Sequence, residues 1–166
     1  MTKTRKGFAN FSLEQLALGL VLAEPKHGYQ LYTAYQAAFG PIWKVGRSKF
    51  YAALAALHEG DYLSVTTEYQ ADRPPRKVYA VTPTGRDHFE AWLQRPVTPM
   101  RAVRVEFMAK LRFYDLLSLS GVDHLLDEQL AVARSTRNLW VEELARASTS
   151  DEDPFMAVVY DFRLRQ

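Results

Sequence analysis

The sequence predicts a mainly α fold carrying one small β-hairpin, with further helices after it. Three observations lead there. Apolar residues recur at helical spacing in three early segments that Pro25 and Gly40-Pro41 separate. Two later segments, YLSVTTEYQ and RKVYAVT, alternate in polarity and are rich in β-branched and aromatic residues, as paired strands are. After QRPVTPM the helical spacing returns and holds to the C-terminus.

The first helix is expected from about Leu13. Ser12 and Gln15 have the spacing of a capping box, with Phe11 and Leu16 placed as a hydrophobic staple. Its apolar residues run nearly all round, as in a helix buried inside a domain. The second, YQLYTAYQAAF, repeats Leu31, Tyr32, Tyr35 and Phe39 before Gly40-Pro41 stops it. The third spans about Arg47 to Glu59, with Phe50, Ala53, Leu54 and Leu57 facing the core and Gly60 suited to a left-handed cap. Its first turn holds Arg47, Ser48 and Lys49. Cations at a helix N-terminus oppose the macrodipole, so they serve something other than helix stability, and a polyanion would remove the penalty.

The two strands are joined by about half a dozen residues that include Asp72 and Pro74-Pro75. Proline fixes φ, so this loop has little entropy to lose on binding. Thr82-Pro83 then opens a fourth helix through Phe89, Trp92 and Leu93. The order helix, helix, helix, strand, wing, strand, helix is that of a winged helix-turn-helix. In that fold the third helix enters the major groove, and a loop carrying Arg73, Arg76 and Lys77 lies against phosphates or reaches a minor groove.

Past the linker, a helix is expected from Arg101 to Leu119 with Val105, Met108, Leu111, Phe113 and Leu116 as its apolar positions. A longer one follows from Val122 to about Ala147, with Leu126, Leu130, Trp140 and Leu144 at near-heptad spacing, and then FMAVVYDFRLRQ. Such stripes cannot easily bury themselves, which implies a second copy and makes this part C-terminal dimerisation helices. The expected division is residues 1–95 for the winged domain and 101–166 for dimerisation.

Bulk properties narrow the function classes. The 166 residues are 48% hydrophobic and 24% charged, a globular composition. There is no cysteine, which excludes disulfides and thiolate chemistry and fits the cytoplasm. No signal peptide or membrane span is read. Net charge is only +2, but residues 1–77 hold 10 Lys+Arg against 6 Asp+Glu, and residues 78–166 hold 11 against 13. The basic character is local. Four histidines on four elements lack metal-ligand spacing, and no nucleophile–base pair or phosphate-cradling loop is present, so neither an enzyme nor a cofactor is expected. A winged-helix module that binds protein instead of DNA remains the alternative.

The stretches LALGLVLAEPKHGYQLYTAY, VGRSKFYAALAALHEGDYLSV and RPPRKVYAVTPTGRDHFEAWL resemble the opening, recognition helix and wing of PadR-type transcriptional regulators. The later helices are similar, more loosely, to the dimerisation region of that family's shorter, virulence-activator-like members. The resemblance implies a cytoplasmic homodimer on a pseudo-palindromic double-stranded operator, most often a repressor, with release by a small molecule in some members. It adds two candidate contacts: Tyr29, in the motif HGYQL, and Tyr51, at the tyrosine of the recognition helix. It departs where Gly46-Arg47-Ser48-Lys49 replaces a Ser-Pro-Gly-like start, so the operator half-site is not tied to those of relatives. The chain also ends earlier than the resemblance leads one to expect, implying a shorter dimer arm or a truncated chain.

Overall fold

A computed structural model describes residues 12–70, 73–98, 103–149 and 154–165, except for the side chains of residues 70, 73, 74, 103 and 104. Helices α1 (Leu13–Ala23), α2 (Gly28–Phe39) and α3 (Arg47–Glu59) precede strands β2 (Leu63–Gln70) and β3 (Arg73–Val81) and helix α4 (Pro83–Gln94). A two-residue strand β1 (Lys26–His27) pairs with β3, so the hairpin belongs to a three-stranded antiparallel sheet of order β1-β3-β2. Then come a π-helical turn (Val103–Phe107) and helices α5 (Met108–Leu116), α6 (Val122–Thr149) and α7 (Pro154–Leu164).

The helix ends follow local chemistry. The Ser12 backbone N–H donates to Gln15 Oε1 at 2.7 Å, the return half of the expected capping box, whereas Ser12 Oγ finds no partner among the described residues. Phe11, the other member of the expected staple, lies outside them. Thr82 Oγ1 accepts from the Gly85 N–H at 3.0 Å with Pro83 at the first helical position, as the sequence predicts for α4. The left-handed residue ending α3 is Asp61, at φ 63°, and not Gly60. Asp61 N–H donates to the His58 carbonyl and Tyr62 N–H to that of Leu57, a Schellman closure that leaves Gly60 in the last helical turn. Aspartate is one of the few residues that visits this region routinely.

The wing also differs from expectation. Pro74 and Pro75 lie inside β3 and not in a long loop. Glu68 pairs with Arg76 but Gln70 with Arg73, so β3 carries one extra residue there. A bulge is where a strand accepts proline, since a residue without a ladder bond needs no N–H.

The core is aromatic. Phe39 of α2, Phe89 and Trp92 of α4 and Phe113 of α5 meet with ring centroids 4.8 to 6.1 Å apart, Phe113 standing edge-on to Phe89 and to Trp92. α1 runs beside them, and a Cβ on Gly19 would come within 2.5 Å of both Phe113 and Phe89. Ala109, Phe113, Tyr114 and Leu125 all join this core, so the buried cluster continues past residue 101.

In α5 the expected apolar positions hold at Phe113, which is buried, but not at Met108 and Leu116, which are exposed, and Ala109, Lys110 and Tyr114 are buried instead. The π-helical turn just before α5 accounts for this, because one inserted residue rotates everything after it relative to a regular 3.6-residue pattern.

Gly19→Ala is expected to cost about 1–3 kcal/mol, the usual range for overpacking a filled core, read from the urea midpoint. A second expectation concerns His88, whose ring packs on Tyr62 at 4.8 Å. Burial, with Arg95 acting in the same direction, pushes its imidazole below the ordinary value of 6.5. Between the lowered pKa and 6.5 the unfolded chain holds the proton more often than the folded one, so stability falls as pH drops through that window. His88→Gln should flatten this part of the urea-midpoint profile.

Candidate nucleic-acid interface

The turn between α2 and α3 fixes where the third helix begins. Two tyrosines from one face of α2 hold it: Tyr32 Oη donates to the Val45 carbonyl at 3.1 Å and Tyr35 Oη to that of Trp43 at 2.5 Å. Burial, with Tyr32 adding to it, pushes the Tyr35 hydroxyl up to about 12, so it stays a donor at any physiological pH. Phe50 of α3 closes against the same two rings, at 5.6 and 5.2 Å.

The first turn of α3 stands out from this anchor. Arg47, Ser48 and Lys49 are all exposed, no acidic residue shares the turn, and the Arg47 guanidinium lies over the Tyr32 ring at 5.6 Å. Gly46, the N-cap, has no side chain to satisfy the first amides.

Beside it is a groove of about 330 Å³ lined by His27, Gly28, Tyr29, Tyr51, Arg76, Lys77 and Tyr79. Four of the eight candidate residues, Tyr29, Tyr51, Arg76 and Lys77, therefore come from three elements to one place. Tyr29 is 53% exposed at the start of α2, with Arg76 over its ring at 6.0 Å and the His27 ring stacked nearly parallel at 6.2 Å. Tyr51 reaches the groove because Gly28 lacks a side chain: a Cβ there would lie 2.7 Å from Tyr51 Cε1. Buried Tyr79 joins the lining, its hydroxyl pushed up by burial and then by Tyr51.

Arg47, Ser48 and Lys49 are not part of this lining, and the Arg73 side chain lies outside the described residues, although its backbone opens β3. Among the described residues, Arg47, Lys49, Arg76 and Lys77 have no acidic group within 4.0 Å. Sequence reasoning did not select His27, Gly28 or Tyr79; the His27-Gly28 pair directly before the α2 pattern was the available signal.

A second polar cluster lies behind the core, around Trp92 of α4. Trp92 Nε1–H donates to Glu106 Oε1 at 2.9 Å, Lys110 Nζ sits 3.5 Å from the same oxygen and 5.0 Å above the Trp92 ring, and Lys110 also donates to the Arg95 carbonyl. Lys110 is 1% exposed, and burial pushes its ammonium below the ordinary value, with Glu106 acting against that shift.

Comparison with known proteins agrees with this geometry. Residues 17–91 match the model of the Transcriptional regulator PadR-like family. The chain is 27% identical over 118 residues to the negative transcriptional regulator PadR of Bacillus subtilis (strain 168), covering 71% of this chain and 65% of that protein. It is 30% identical over 77 residues to the probable transcriptional regulator Rv1176c of Mycobacterium tuberculosis (strain ATCC 25618 / H37Rv), covering 46% of this chain and 41% of the relative. The chain thus spans less than two thirds of the length of these curated relatives. The crystal structure of Bacillus subtilis PadR in complex with operator DNA shares the fold, with a TM-score of 0.50 and 24% identity over 92% of this chain and 89% of that one. Residues 17–91 are thus similar to the PadR-like family of transcriptional regulators.

Proposed function

We propose that this protein is a dimeric, sequence-specific DNA-binding regulator, cytoplasmic and acting as a repressor that a small-molecule effector releases. The observation that carries the proposal is the placement around α3 of cations with no acidic partner among the described residues, beside exposed Tyr29 and half-buried Tyr51. Arg47, Ser48 and Lys49 enter the major groove at the helix tip. Tyr29, Tyr51, Arg76 and Lys77 hold backbone phosphates at its side, and Arg73 extends the contact along the wing. Repression is supported by the name of the Bacillus subtilis relative. Among the described residues no helix is long and apolar enough to cross a membrane.

The division of labour runs at the linker, with residues 1–95 reading DNA and 101–166 making the dimer. Leu126, Leu130, Leu139 and Val141 of α6 and Phe155, Val158 and Phe162 of α7 are exposed apolar side chains. A second copy covering them buries what water would otherwise touch.

Arg47→Ala/Lys49→Ala is expected to lower affinity for a selected operator duplex by about 10- to 1,000-fold in fluorescence anisotropy, with selectivity over scrambled DNA relaxed. Arg76→Ala, a phosphate contact, should weaken both duplexes alike and reduce the slope of log K against log salt by about 1. Weak binding to every duplex, indifferent to salt and to these changes, would favour a protein-interaction module instead. For the arms, Leu126→Glu/Leu130→Glu should turn a dimer into a monomer in sedimentation velocity without loss of helical signal.

A further inference from the structure

The linker after α4 is held by side chains from the helices that follow it. Lys110 of α5 donates to the Arg95 carbonyl. Two residues on, Gln129 of α6 meets the backbone of Val97 twice: the Val97 N–H donates to Gln129 Oε1 at 2.6 Å, and Gln129 Nε2 donates to the Val97 carbonyl at 3.0 Å. Gln129 is 6% exposed and Val97 1%. The amide thus does for Val97 what a neighbouring strand would do, in a place where neither backbone group has water.

α6 has 28 residues, and Leu125 and Gln129, one turn apart near its N-terminal end, are its two buried positions. An apolar contact such as Leu125 tolerates sliding and rotation, because dispersion is not directional. A pair of opposed hydrogen bonds does not, since they weaken steeply with misalignment. About 30 Å of helix extends beyond Gln129 at 1.5 Å per residue. A tilt of roughly 10° at the clamp would move the far end by about 5 Å, more than the base-pair rise of about 3.4 Å.

We propose that Gln129 is a positioning residue: through Val97 it fixes the angle of α6 on the winged core, and thereby the spacing of the two reading helices in the dimer. The spacing half rests on the DNA-reading function proposed above; the angle half does not. The chain has no cysteine, so labels can be placed cleanly.

The experiment puts spin labels at Asp87→Cys on α4 and Ser135→Cys on α6, both exposed, in labelled chain diluted into unlabelled chain, and measures the distance distribution. With Gln129 intact it is expected to be narrow. In Gln129→Met it should broaden. In Gln129→Glu it should be broad at about pH 8, where a carboxylate faces the Val97 carbonyl, and narrow again on acidification, where burial beside that carbonyl favours the protonated acid, which both accepts and donates as the amide does. Distributions as narrow as the parent's in both variants at pH 8 would overturn the proposal. Loss of helical signal in Gln129→Met would do so too, because it would make Gln129 a folding residue.

The same proteins are then tested on operators whose half-sites are moved by single base pairs. Gln129→Met should bind a single half-site within about twofold of the parent, yet bind the best-spaced full operator about tenfold more weakly, with a flatter spacing preference. Equal losses on half-site and full operator would overturn the spacing role. If the parent binds no duplex while the label distances behave as expected, the DNA reading falls and the clamp stands.

Discussion

Phe113 is the contact on which the rest of the molecule depends. It arrives from a helix outside the matched family region and fills the space between Phe39, Phe89 and Trp92. From Phe39 the chain of rings runs through Tyr35 to Phe50 of α3, at 6.2 and 5.2 Å. From Trp92 it runs into the Glu106–Lys110 pair. One continuous aromatic path therefore joins the candidate interface around α3 to the base of α5. Close-packed rings transmit displacement because they have no free volume to absorb it, and Gly19 shows how little there is.

Against this rigid interior the interface is built from groups that gain nothing from folding. The cations at the start of α3 oppose the helix dipole, and Gly46 offers no cap. What is ordered is the ground beneath them: Tyr32 and Tyr35 bind the turn carbonyls, Gly28 lets Tyr51 lie close, and Tyr29 is stacked between His27 and Arg76. On the proposed function, ordering aromatic supports before binding lowers the entropy lost on association, while the exposed charges stay solvated in the free chain.

Most of this frame was legible in the sequence, because strong periodicity and punctuation agree there. Arg47–Glu59 and Pro83–Gln94 follow from Gly40-Pro41, Gly60 and Thr82-Pro83, signals that act over a few residues. The misreadings share a cause, which is that the deciding partner is distant in sequence or one residue out of phase. β1 is two residues long and exists through its pairing with β3, some fifty residues on. The prolines look like a loop until the bulge opposite Glu68 and Gln70 explains them. The phase of α5 is set by a π-turn that no composition announces. The groove was half legible: its cations and tyrosines have suggestive neighbours, whereas Gly28 matters only because of Tyr51.

Buried polar groups were the least legible, and they decide how the two halves move together. A lysine, a glutamate and a glutamine on amphipathic helices read as solvent-facing, and only the fold shows Lys110, Glu106 and Gln129 turned inward. An apolar replacement of similar volume can be as stable as a buried ion pair, so stability alone does not account for them. Their partners do: two of the three address backbone groups of the segment from Arg95 to Val97, where direction matters more than depth of burial. A winged core closed by aromatic packing resists bending, so the angle of α6 is set at this junction. The Gln129–Val97 pair makes that junction directional, because opposed hydrogen bonds weaken steeply with misalignment.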